Sequence, residues 1–435
     1  MADQSDAAPS ASTETKRTPQ SLITEEQVKA ALKADKGDDA RLTSWAVKDF
    51  TKKGDNYACV VTSIEVRYSA SGSERGVTYV AKLNPCRQPE TLKRFATAVF
   101  EKEIGFYEQI APVLNAELVA IGQDPLKFAK CFALFRETDS EVIILEDLRK
   151  SGFQMFDRKK GMDKAHTTLV VKELGRLHAA SVIMMNNMPC KLGERYPFIL
   201  KDFSSFNENS YDDFSNIFAA YLNNAAAMTE KIGGYGNVVT WMRETAPVCV
   251  DLFDEQLKSS PPFEVICHGD CWNNNVLFRY NDEGVPTDVR LVDLQVCRKA
   301  SPATDLNYLL YTSLNGGERR EHLDSFLKSY HNSFCNVLKD GDRDAPFTLE
   351  DLKGEYHNKN LFGLLMAVMI VPIVVSEAAE MLDLDNIDTD DVEVLIKDQR
   401  EKSLQQVDNN PLLKPRLLSV FDEMIEYKVI CVKKD

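Results

Sequence analysis

Residues 265–278 read VICHGDCWNNNVLF, and after a short turn residues 289–295 read VRLVDLQ. Reduced to spacing, this is His268-x-Asp270-x-x-x-x-Asn275 between apolar runs, with Asp293 at the end of the next run. β-Branched runs bounded by turn residues predict strands. Here they fall at 264–267, 276–280 and 289–294, the last two paired through Asn281-Asp282-Glu283-Gly284. An aspartate on a loop between strands can accept a proton from a hydroxyl. An asparagine five residues on and an aspartate on the neighbouring strand can offer oxygens to a divalent cation. Mg²⁺ takes few protein oxygens and completes its shell with water and phosphates. That combination suits phosphoryl transfer, where catalysis is mostly positioning and charge neutralisation. The run Asn273-Asn274-Asn275 could be turn chemistry alone. The flanking strands and the second aspartate in register favour the functional reading.

Phosphoryl transfer also needs a cation on the nucleotide's phosphates. Upstream, 57–66 (YACVVTSIEV) and 78–83 (TYVAKL) predict two strands, with SASGSERG between them as the turn of a hairpin. Lys82 lies in the second strand, and a helix is predicted from Thr91 to about Ile110. At 100° per residue, Leu92, Ala96, Val99, Tyr107 and Ile110 fall within about 40° of Glu103. Glu103 therefore sits in an apolar stripe, where a carboxylate needs a partner. Lys82 is the obvious one, while Glu101 and Lys102 point elsewhere and read as solvated charges. Gly54-Asp55-Asn56-Tyr57 leads into the first strand and could turn backbone N–H groups toward phosphates. Strands at 131–136 and 141–145 complete a small α+β lobe. Beyond Glu146-Asp147-Leu148 the pattern turns helical, with helices at 163–186, at 211–231 and from Asp305 nearly to the end. That connector reads as a hinge whose backbone could hold an adenine edge. A capping box, Thr24-Glu25-Glu26-Gln27, starts the ordered chain.

The chain has 435 residues, ample for a large core in two or three lobes. Its formal net charge of −15 argues against broad nucleic-acid binding, which needs a basic face. Ten scattered cysteines with no C-x-x-C pair point to reduced thiols in the cytoplasm rather than to zinc or a disulfide framework. The Ser/Thr/Ala/Pro-rich residues 1–20 read as a disordered tail without the apolar core of a secretory signal. The longest apolar run, Leu361–Val375, is broken by Pro372 and falls short of the roughly 20 residues that span a membrane, so it reads as a buried helix. The acidic stretch 383–393 reads as solvated surface, not a calcium loop.

With GDNYACVV, YVAKLNP, FEKEIGFYEQIAP, ILEDL, LGRLHAAS, CHGDCWNNNVLF and LVDLQ in line, the chain resembles the protein-kinase-like fold. More closely it resembles the ecdysteroid-kinase-like family, a branch near choline kinases and aminoglycoside phosphotransferases. The resemblance implies a bilobal α+β fold with a strand-rich N-lobe over 21–145 and a mainly helical C-lobe over 146–435. It implies ATP and Mg²⁺ as cofactors and a small-molecule alcohol, such as an ecdysteroid or related steroid or xenobiotic, as acceptor. Carried over by position, Asp270 is the catalytic base, Asn275 and Asp293 hold Mg²⁺, Lys82 contacts the phosphates and Glu103 fixes Lys82. His268 braces the catalytic loop, and Asp305 supports it from the following helix. Gly54, Asn56 and Tyr57 cover the phosphates, and the backbone at Glu146 and Leu148 holds adenine. Trp272, Tyr308, Tyr311 and the Leu361–Val375 region are candidates for the acceptor pocket. Leu294 and Gln295 stand where protein kinases have Phe and Gly, and no A-P-E follows Asp293, which disfavours a protein substrate. A choline-, ethanolamine- or aminoglycoside-type kinase and a non-catalytic nucleotide-binding pseudokinase are the alternatives.

Overall fold

The computed structural model describes residues 18–50, 58–87, 89–205, 210–377 and 392–431. Helix α1 (Glu25–Lys36) opens on the expected capping box. Thr24 Oγ1 accepts from Gln27 N–H, and Gln27 Oε1 accepts from Thr24 N–H at 3.0 Å. Strands β1 (Arg41–Asp49), β2 (Val60–Ala70) and β3 (Ser73–Leu83) follow, then α2 (Glu90–Gly105), α3 (Ala111–Ala120), β4 (Cys131–Phe135) and β5 (Val142–Glu146). They form one antiparallel sheet in the order β1-β2-β3-β5-β4.

Three features differ from the sequence reading. The β2–β3 hairpin turns at Ser71-Gly72 alone, both at positive φ, so most of SASGSERG is strand. Strand β1 was not expected. It is a half-exposed edge strand and so lacks a continuous apolar run. The expected helix 91–110 is also interrupted, because Phe106–Ile110 form a π-helical turn leading into α3.

The pleat of the sheet decides where Lys82 goes. Val142 and Ile144 of β5, with Ala81 and Leu83 of β3, pack in a small core beneath α1. Ile143 and Leu145 belong to the main core, together with Val99 and Phe100 of α2. Lys82 pairs with Ile143 across the ladder, and paired residues share a face, so its side chain projects toward α2.

Beyond β5 the chain contains β6 (Gln154–Met155), α4 (Lys164–Asn187), α5 (Leu192–Arg195), α6 (Ser210–Ile232), α7 (Gly236–Thr245) and α8 (Cys249–Leu257). Next come β7 (Val265–Cys267), β8 (Val276–Tyr280), β9 (Pro286–Leu291), β10 (Arg298–Ala300) and α9 (Pro302–Ser313). Helices α10 (Gly316–Asp340), α11 (Leu349–Asn358), α12 (Asn360–Val375), α13 (Val392–Asn409) and α14 (Leu413–Glu426) complete the chain. Two small sheets, β6-β8-β9 and β7-β10, hold the loop between β7 and β8 over the helices. Every residue of α9 is buried. A five-stranded sheet with one long helix, joined at β5 to a mainly helical remainder, is the bilobal protein-kinase-like arrangement.

Helix α12, the apolar run, packs within the core. Among the described residues no single helix is long and apolar enough to cross a membrane. Helices α11 and α12 reach that length only together, with a bend of 53° between them. The expectations for residues 1–17 and for most of the acidic stretch, 383–391, lie outside the described residues.

Candidate active site

Lys82 is the hub of the inter-lobe cleft. Its Nζ donates to Glu103 of α2 and, at 2.7 Å, to Asp293 Oδ1 just beyond β9. Burial disfavours the Lys82 charge, but Asp293 and Glu103 outweigh it and hold the ammonium well above its ordinary value. Burial also pushes the Glu103 carboxyl up against the pull of Lys82. The second oxygen of Glu103 accepts from Leu294 N–H at 3.3 Å, so α2 grips the backbone next to Asp293. Asp293 itself has φ +67°, a left-handed conformation that costs a non-glycine residue energy and is retained where surrounding contacts fix it. Gln295 Nε2 donates to Asp293 Oδ2 at 3.2 Å.

Across the cleft, the loop between β7 and β8 presents Asp270. Asn275 Nδ2 donates to Asp270 Oδ2 at 2.8 Å and to its carbonyl at 2.9 Å. The Tyr308 hydroxyl donates to Asp270 Oδ1 at 2.6 Å. The carboxyl is pushed up to about 7, by burial first and by the charge of Asp293 second, against those two hydrogen bonds. The two aspartates' segments are joined by Val292 N–H, which donates to Asn275 O at 3.0 Å. Asp270 is half-buried.

The loop is braced from behind. His268 Nε2–H donates to Val292 O at 3.0 Å, and its Nδ1 accepts from Asp270 N–H at 3.3 Å. Burial holds this imidazole below its usual pKa, so it is neutral. Asp305 accepts from the N–H groups of His268 and Gly269 at 2.7 and 2.9 Å, and His178 of α4 sits on Asp305 at 3.1 Å. Gly269 turns at φ +84°, and a Cβ there would lie 2.1 Å from Val296 O. Arg298 Nε lies 3.3 Å from Asp202 and donates to Val296 O.

At the hinge, Glu146 ends β5 and its N–H bonds Lys130 O at 2.8 Å. Leu148 opens a 3-10 turn, so its N–H has no acceptor within that turn. Asp147 caps the turn, and Arg149 folds from Asp147 across the ring of Phe50 to Ser63. Gly54, Asn56 and Tyr57 lie outside the described residues.

The structure therefore brings Lys82, Glu103, Asp293, Asp270, Asn275 and His268 together. Oxygen donors are what Mg²⁺ requires, and the donor set fits it: Asn275 uses its amide nitrogen on Asp270, which leaves Oδ1 for a cation, and Asp293 supplies a carboxylate. One sequence expectation fails. Lys102 is not solvated. It is 1% exposed and donates to Cys297 O at 3.0 Å, and burial lowers its pKa to about 8. Tyr311 is buried away from Asp270, stacked on Tyr356 under the Arg319 guanidinium. Trp272 is buried as well. The sequence reading missed His178 as a partner of the loop. The signal was available: His178 lies four residues after Leu174 on an apolar helix face, as Glu103 lies on its own.

Several solved structures resemble the chain. A choline kinase from Cryptosporidium parvum Iowa II is 11% identical, with 89% of this chain and 91% of that one covered and a TM-score of 0.44. The Plasmodium vivax ethanolamine kinase is 12% identical, covering 91% and 86%, with a TM-score of 0.38. A choline kinase from Streptococcus pneumoniae is 13% identical, covering 88% and 99%, with a TM-score of 0.36. No curated protein sequence matches. The sequence profile of the ecdysteroid kinase-like family matches residues 53–342, about two thirds of the chain. The chain belongs to the ecdysteroid kinase-like family, and with it to the small-molecule kinases.

Proposed function

We propose that this protein transfers the γ-phosphoryl group of ATP to a hydroxyl of a small, uncharged alcohol, an ecdysteroid or a related steroid or xenobiotic alcohol. The observation that carries the reading is the convergence of Lys82, Glu103 and Asp293 on one side of a cleft and Asp270 with Asn275 on the other. In this reading Lys82, freed from Asp293, binds the nucleotide's phosphates and stays fixed by Glu103. Asp270 orients the acceptor hydroxyl and takes its proton as the acceptor oxygen bonds to phosphorus. The bond to the β–γ bridging oxygen breaks, and ADP leaves with that electron pair. Asn275 and Asp293 would hold Mg²⁺, which neutralises charge on the phosphates. Adenine would lie against the backbone of Glu146 and Leu148.

The neutral acceptor class rests on the match to the ecdysteroid kinase-like family. Ten free thiols support a reducing, cytoplasmic setting as part of the same proposal.

The test incubates the protein with ATP, Mg²⁺ and a library of sterols, other neutral alcohols and amino alcohols, and weighs the products. A phosphate-sized gain on sterols or neutral alcohols is expected. A gain confined to amino alcohols would replace the acceptor assignment with a choline- or aminoglycoside-type one. Nucleotide binding without any product would make the protein a pseudokinase.

A further inference from the structure

Asp270 is held by a residue from outside its own loop. Tyr308 lies one turn beyond Asp305 on α9, is 3% exposed, and directs its hydroxyl to Asp270 Oδ1 at 2.6 Å. Its ring packs edge-on against Phe362 of α12, with centroids 6.5 Å apart. The phenol is thus fixed at both ends, by packing and by the carboxylate.

A carboxylate offers about four acceptor sites on two oxygens. Asn275 occupies one on Oδ2 and Tyr308 one on Oδ1. Rotating the carboxyl group would break both bonds at once. The two donors therefore fix the plane of Asp270 and leave one site on each oxygen for the incoming hydroxyl. Asn275 is also the candidate metal ligand, so it cannot adapt freely to the acceptor. Tyr308 has no such second task, and it comes from the same helix that anchors the loop through Asp305.

We propose that Tyr308 is a positioning residue for phosphoryl transfer, acting through Asp270 to aim its free lone pair at the acceptor hydroxyl. This rests on the kinase reading above. The phenol does not touch the transferred group and makes no bond in the reaction. Its contribution is the geometry of the base, and so it bears on turnover rather than on nucleotide affinity. Helix α9 serves the loop twice, holding its backbone with Asp305 and the base's side chain with Tyr308.

The test is Tyr308→Phe, which keeps the ring and removes the hydroxyl. It is measured with ATP and the best acceptor found in the library, in wild-type and Asp270→Asn backgrounds, with product counted by mass spectrometry over hours. The expected result is a kcat about 10- to 100-fold lower, a loss of one good hydrogen bond to a charged group. The KM for ATP should stay within about twofold. In the Asp270→Asn background the same change should cost no further rate, because a residue acting through another has no effect once that one is gone. A purely structural tyrosine would lower Tm and leave this split unmoved. The proposal is overturned by a Tyr308→Phe kcat within twofold of wild type, or by an equal fold-loss in both backgrounds. In either case the kinase reading stands. A wild-type protein that phosphorylates no acceptor overturns both.

Discussion

Two clusters face each other across the cleft, and they are built differently. The first bridges it: Lys82 and Glu103, from a strand and a helix of the N-lobe, are tied by ion pairs to Asp293 in the chain beyond β9. On the C-lobe side, the Asp270 carboxylate accepts hydrogen bonds from Asn275 and Tyr308, and its backbone N–H donates to His268. The first cluster stores its energy in ion pairs that collapse if one member is lost. The second depends on loop geometry, and it loses aim before it loses stability. Substitutions that separate aim from stability therefore test the contrast.

The largest effect expected is at the base. Asp270→Asn should lower kcat by roughly 10²- to 10⁴-fold, the range for losing a general base, with Tm and nucleotide affinity little changed. Turnover equal to wild type would remove Asp270 from the mechanism. On the ionic side the balance should reverse. Lys82→Met leaves Glu103, 1% exposed, as an uncompensated buried charge and should cost about 3–5 kcal/mol in chemical denaturation. Adding Glu103→Leu should recover part of that stability without recovering ATP binding. A Lys82→Met protein as stable as wild type would mean the pair contributes nothing to the fold.

Gly269→Ala lies between the two. A Cβ at φ +84° and 2.1 Å from Val296 O must displace the loop, at a cost of about 1–3 kcal/mol and most of the turnover. An active, normally stable alanine variant would show that the loop is looser than its bonds imply. The effect at Lys102 is a slope with pH, nearly absent at neutral pH. Its folded-state value of about 8 lies below the unfolded 10.5. Between those limits the unfolded chain binds the extra proton, so stability rises with pH, by at most about 1.4 kcal/mol per pH unit. Below pH 8 both states are protonated and the slope vanishes. The difference between wild type and Lys102→Met, followed by denaturation from pH 7 to 10.5, isolates this slope. A flat difference would mean that Lys102 is not desolvated.

Much of the site was legible because its logic is local. Glu103 betrayed itself as a carboxylate on an apolar stripe, and Asp270, Asn275 and Asp293 by their spacing around two strands. What escaped depended on tertiary packing. Lys102 falls on the polar side of α2 when that helix is drawn alone, but Cys297 comes over from the other lobe to cover it. Strand β1 is an edge with one neighbour, so half its surface faces water and its apolar pattern is weak. Tyr308 was marked for the acceptor pocket, yet no spacing rule says that a tyrosine three residues after Asp305 reaches back to the base.

Helix α2 is fastened to the opposite lobe at two consecutive residues, Glu103 at Leu294 N–H and Lys102 at Cys297 O. Swinging it outward would strand both side chains without their partners, at a cost of several kcal/mol. The catalytic apparatus is accordingly assembled before any substrate arrives, with no moving part in that helix for a signal to push. On the proposed kinase reading, control of the reaction would have to act elsewhere in the molecule than on this helix.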